Sequence, residues 1–134
     1  MRYALWICFI LCSIIFSSWA QRGHSHEMSP AYPEFSFSHL EGLMKTSLVI
    51  FNRREDVSFY ELEVFDKDWQ PVMFAAESRI VRLNYLQKKT LNVYIRRKDL
   101  NIAEYICTRS RLLSDSNTIT GISSRICSRV VNDK

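Results

Sequence analysis

Cys107 and Cys127 are the residues of this chain with the clearest chemistry, because their positions suit a covalent bond between neighbouring strands. Cys8 and Cys12 lie in a leading apolar run that reads as removable, which leaves one pair for an oxidising compartment to join. If Tyr105 to Arg111 and Thr118 to Val131 form an antiparallel hairpin, facing residues share a constant sum. For the cysteines that sum, 107 + 127 = 234, centres the turn on residue 117. The centre falls within Ser114-Asp115-Ser116-Asn117, the densest group of turn-forming residues after the leader. Two cysteines facing each other across such a hairpin come within disulfide reach. Two unrelated buried thiols are the alternative, and they leave the centring unexplained. A redox pair is disfavoured by the absence of Cys-x-x-Cys spacing.

Catalytic chemistry finds little material. The histidines are His24, His26 and His39, and the His24/His26 pair has no recognisable further ligands to complete a metal site. A Ser-His-Asp arrangement would have to use the same histidines, and no nucleophile-elbow motif marks a serine. Gly23, Gly42 and Gly121 are too scattered to cradle a phosphate. The chain is therefore expected not to be an enzyme and to carry no cofactor.

Residues 1–20 read as an address. Arg2 precedes the apolar run Tyr3 to Phe16, and Ser18-Trp19-Ala20 offers small residues where a signal peptidase cuts, so cleavage is expected after Ala20. The run is short for a membrane span, and no stable membrane insertion is expected once it is removed. A lipoprotein reading would use Cys12, but Leu11 stands where a small residue is needed. Removal leaves 134 − 20 = 114 residues, enough for one domain. Only Arg2 of the 18 basic residues leaves with the leader, so 17 basic and 14 acidic side chains remain. That mild surplus permits weak encounter with anionic surfaces. It lacks the concentrated basic, aromatic-interleaved motif of a nucleic-acid reader.

Residues 21–34, with two prolines and no apolar periodicity, are expected to be a flexible arm, and 35–134 the single domain. Within it, Phe35 to His39 suits a first edge strand, and Leu43 to Phe51 is dense in apolar and β-branched residues. Tyr60, Leu62 and Val64 alternate with Glu61, Glu63 and Phe65, and Leu91, Val93 and Ile95 with Asn92 and Tyr94. Asp66 to Pro71 reads as a turn, with Trp69 either capping the sandwich or free for contact. Seven or eight short antiparallel strands at this spacing predict an all-β immunoglobulin-like sandwich.

The order of motifs resembles the first, immunoglobulin-like domain of the periplasmic pilus chaperones, the PapD-like family. Arg82-Leu83, a Gln87-Lys88-Lys89-Thr90 corner and Leu91-Asn92-Val93 are similar to its Arg-Leu pair, polar turn and following strand. Leu40-Glu41-Gly42 and the run ending Phe51-Asn52 resemble its Pro-Glu-Gly corner and the strand closing on Asn. Ala103 to Thr108 resembles its Glu-Ser-x-Phe-Trp-Leu-Asn strand, and Ile122 to Ile126 the segment bearing its basic cleft residue, with Arg125 at that position. A disulfide between the last two strands is similar to the subfamily that assembles thin fibres.

The resemblance implies an exported periplasmic chaperone that lends a strand to an incomplete pilus, fimbrial or conjugative-apparatus subunit. Ile119, Ile122 and Ile126 would be the lent apolar groups, Arg125 the anchor for the subunit's terminal carboxylate, and Arg82 a structural hydrogen-bond donor. The second cleft arginine of the family would fall near Ser36 or Phe37, and polar Ser116, Thr118 and Thr120 occupy donor positions. The alternative is a structural or adhesive immunoglobulin-like component of the surface assembly itself.

Overall fold

Alternation becomes strand wherever one face can be buried. The computed structural model describes residues 25–111 and 122–131. Among these residues it has eight strands: β1 (Glu27–Ser29), β2 (Ser36–Phe37), β3 (Leu43–Phe51), β4 (Phe59–Phe65), β5 (Ile80–Arg82), β6 (Lys88–Arg96), β7 (Tyr105–Arg111) and β8 (Arg125–Arg129). β3 pairs with β6 along its whole length, so β1 and β2 share its other edge as two pieces of one broken strand. The second sheet runs β5-β4-β7-β8, and every strand pair in both sheets is antiparallel.

The inward rows meet between the sheets. Leu48, Ile50, Val93 and Ile95 of the first sheet face Tyr60, Leu62, Val64 and Ile106 of the second, all of them buried. Fully burying one such side chain is worth about 1.5–3 kcal/mol, and truncating it to alanine costs about 2–5 kcal/mol with the cavity included. Val72 to Ala75 crosses from the second sheet to the first: Pro71 bridges Phe65, and Ala75 exchanges backbone hydrogen bonds with Tyr94.

A polar seam closes one end of this core. Asn52, fully buried, donates to the carbonyls of Val57 (2.8 Å) and Leu83 (2.9 Å). Its Oδ1 accepts the Tyr60 hydroxyl at 2.5 Å and the Arg54 N–H at 2.7 Å. Burial pushes the Tyr60 phenol up to about 12. Arg54 donates to both carboxylate oxygens of Asp56, which raises the guanidinium's pKa and lowers that of the acid.

Two expectations are corrected here. The segment taken for an arm is built into the sandwich from residue 25 onward. β1 pairs with Glu27 opposite Phe51, His26 is buried, and Glu34 bridges Val131 in parallel. The corner expected at Gln87 to Thr90 lies earlier, at Asn84 to Gln87, where Gln87 N–H donates to Asn84 O and Leu86 holds φ 59°. Lys88 and Lys89 already belong to β6, because their outer ends reach solvent while the backbone pairs with Phe51 and Ile50. The turn at 66–70 is as expected, with Asp66 Oδ1 accepting the N–H groups of Asp68 and Gln70.

Candidate strand-docking edge

β8 is the last strand of its sheet, and its register decides which backbone groups are free. Ser110 N–H donates to Ser124 O at 2.8 Å and Val130 N–H to Glu104 O at 2.9 Å, so the even-numbered residues of this segment turn their backbone groups toward β7. The odd-numbered ones, Arg125, Cys127, Arg129 and Val131, turn theirs outward. Arg129 N–H is taken by Ala31 O (2.9 Å) and Val131 N–H by Pro33 O (3.1 Å). Outward groups of Arg125 and Cys127 have no backbone partner among the described residues. Among the described residues, 31–34 thus cover one half of the edge in parallel, and the other half has no backbone partner.

Cys107 and Cys127 are register partners and joined by a disulfide, as the hairpin arithmetic required. The bridge lies on the outward face of the sheet beside a network of ion pairs. Arg109 and Arg111 reach Glu61 at 3.3 and 2.7 Å, and Arg125 approaches Glu63 at 3.1 Å. That last contact is an ion pair without hydrogen-bond alignment, since Glu63 Oε2 has no donor. The Arg125 guanidinium also stands over the Phe65 ring at 5.2 Å.

Beneath the open half-edge, His26 enters the sandwich. Its Nε2 lies 2.9 Å from Thr108 Oγ1 and 3.1 Å from Thr108 O, its Nδ1 3.3 Å from Ser124 Oγ, and its ring 4.7 Å from that of Tyr60. Burial pushes the imidazole down to about 4, and the nearby Arg54 charge acts in the same direction.

The expected site residues are only partly brought together. Ile126 is half-buried on the inward face of β8, and Ile122, before the strand, is 72% exposed while its carbonyl accepts from Arg54 at 3.0 Å. Ile119 and His24 lie outside the described residues. Arg82 is exposed, its guanidinium stands 5.9 Å from the Phe59 ring centroid, and it has no hydrogen-bond acceptor among the described residues. A residue assigned no binding role by sequence, Arg129, lines a cavity of about 630 Å³ with Tyr32, Asp66, Ile102, Glu104 and Val131. Its Nε lies 2.9 Å from Glu104 Oε1. The signal for it was the same alternation that marked Arg125, which puts both arginines on the outward face.

No protein-family model matches the sequence, and no curated protein matches it. Solved structures do. The E. coli chaperone DraB superposes with a TM-score of 0.58 at 15% identity, over 79% of this chain and 53% of its own. The periplasmic chaperone SfaE superposes with a TM-score of 0.52 at 12% identity, over 82% of this chain and 58% of its own. The chain thus spans little more than half the length of either chaperone. Two antiparallel sheets, a broken first edge strand and the superposition identify the fold as a PapD-like immunoglobulin-like sandwich, the fold of these two chaperones.

Proposed function

We propose that this chain is an exported, chaperone-like protein of the periplasm that holds an incomplete pilus, fimbrial or conjugative-apparatus subunit by strand addition at β8. The observation that carries the reading is the half-open edge at Arg125 to Cys127. An extended segment laid there gains backbone hydrogen bonds from both residues, and Ile122 and Ile126 flank it with apolar surface. The likeness to periplasmic chaperones supports the same reading at the level of the fold.

The contact with a subunit's terminal carboxylate is assigned to Arg129 in place of Arg125. Arg125 is held between Glu63 and Phe65, whereas Arg129 has a side chain 65% exposed at the wall of a cavity. A guanidinium can take both carboxylate oxygens at once, and here it would exchange Glu104 for the ligand.

Affinity purification from periplasmic extract tests the proposal against the alternative of a structural component. A chaperone co-purifies with a subunit in the periplasm and is absent from sheared surface filaments. Recovery in the filaments alone would establish the component reading instead.

A further inference from the structure

The two outward sheet faces differ in how their charge is treated. On the second sheet each arginine of β7 and β8 has a carboxylate beside it, from Arg109 with Glu61 to Arg129 with Glu104. The two central strands of the first sheet differ, although Glu27 of β1 stands on the same face opposite Phe51. The buried row of β3 and β6 leaves an outward row of ten residues that includes Lys45, Lys88 and Arg96 and not one carboxylate.

Aromatic rings lie beside the two lysines. Lys45 Nζ stands 5.9 Å from the centroid of Tyr94, its register partner, and Lys88 Nζ stands 4.9 Å from that of Phe51, its own partner. At one end of the face Arg53 joins Lys88 over Phe51 at 5.1 Å. Glu27 neutralises Arg53 and Asp99 neutralises Arg96. Lys45 and Lys88 have no ion pair with a described residue.

We propose that this outward face of the first sheet is a peripheral docking surface for an anionic phospholipid membrane. Charge complementarity names the partner's sign, and the rest of the geometry names its form. The face is an extended ladder, and the described cavity opens at a different place, beside Arg129. A flat partner with many dispersed negative groups fits such a ladder better than a small anion that needs enclosure. Rings capped by cations suit the headgroup layer, where the aromatic body meets acyl chain and the charge meets phosphate. Phe51 and Tyr94 are half-buried, unlike the projecting aromatic platforms on which nucleic-acid bases stack. The proposal is independent of strand addition, because β8 is in the other sheet.

Co-sedimentation with vesicles of phosphatidylglycerol and phosphatidylcholine in equal parts tests it, with phosphatidylcholine vesicles as the neutral probe. Each basic residue near an anionic surface is worth roughly fivefold in partitioning. Lys45→Gln with Lys88→Gln should therefore reduce binding to the anionic vesicles by about tenfold or more, and added salt should reduce binding by the unaltered chain. The matched pair Lys67→Gln with Arg82→Gln removes the same charge elsewhere and should change binding by less than about twofold. Lysine acetylation of the unaltered chain gives a readout independent of any variant's folding. Anionic vesicles should protect Lys45 and Lys88 and leave Lys67 reactive. Equal losses in the two double variants, equal binding to neutral vesicles, or uniform lysine reactivity would overturn the proposal. So would binding to immobilised polyphosphate without binding to vesicles, which would make the partner a soluble polyanion.

Discussion

His26 Nε2 lies 2.9 Å from Thr108 Oγ1, so a residue at the beginning of the described chain is locked to β7 of the opposite sheet. The same ring lies 3.3 Å from Ser124 Oγ, just before β8, so the segment leading into β1 is tied to this flank of the sandwich.

The lock makes stability depend on pH in a defined direction. His26 ordinarily titrates near 6.5 and is pushed down to about 4 in the fold, where the charged form is disfavoured by burial and by Arg54. Its contribution is complete above pH 6.5 and is lost as the pH falls toward 4, because the unfolded chain binds the proton first. The loss is on the order of 3 kcal/mol. Thermal unfolding of the unaltered chain and of His26→Gln, compared from pH 7 to pH 4, isolates this group from the carboxylates. The difference between the two should shrink as the pH falls; a constant difference would show that His26 does not titrate in that window.

The disulfide should contribute through the unfolded chain. Cys107 and Cys127 are 20 residues apart, and closing a loop of that size is worth about 3 kcal/mol in the chain-entropy account. Denaturant unfolding before and after reduction measures it. A thiol-blocking reagent applied to the protein taken directly from the cell should label neither cysteine, and labelling of both would contradict the pairing.

Arg129→Ala should weaken subunit binding by about tenfold or more, as expected for loss of a charge-assisted hydrogen-bond pair, and Arg125→Ala by much less. Both are strand-surface positions, so neither should shift stability by more than about 1 kcal/mol, their ion pairs being exposed or half-exposed. Titration of each variant with the isolated subunit distinguishes them. A larger loss at Arg125 would return the anchor to the residue the family pattern marks.

The sandwich was legible wherever the pattern is local. Tyr60, Leu62 and Val64 alternate because one face of β4 is buried, and the cysteine register follows from antiparallel geometry alone. His26 was not legible, since its environment is made by Thr108 and by Ser124, 98 residues away in sequence. Lys88 and Lys89 read as a turn because strand propensity is a property of context; at the open end of β6 a lysine can pair its backbone and keep its charge in water. The choice between Arg125 and Arg129 depends on the cavity beside residues 32, 66 and 102, which the strand pattern does not encode.

Residue-resolved amide hydrogen exchange on β8 tests strand addition most directly. In the free protein the amides of Ile126 and Ser128, which face β7, should exchange slowly, and those of Arg125 and Cys127 rapidly. With the subunit bound, Arg125 and Cys127 should slow by at least about tenfold while Ile126 and Ser128 remain slow. Unchanged exchange at Arg125 and Cys127 in a complex that demonstrably forms would contradict docking at this edge.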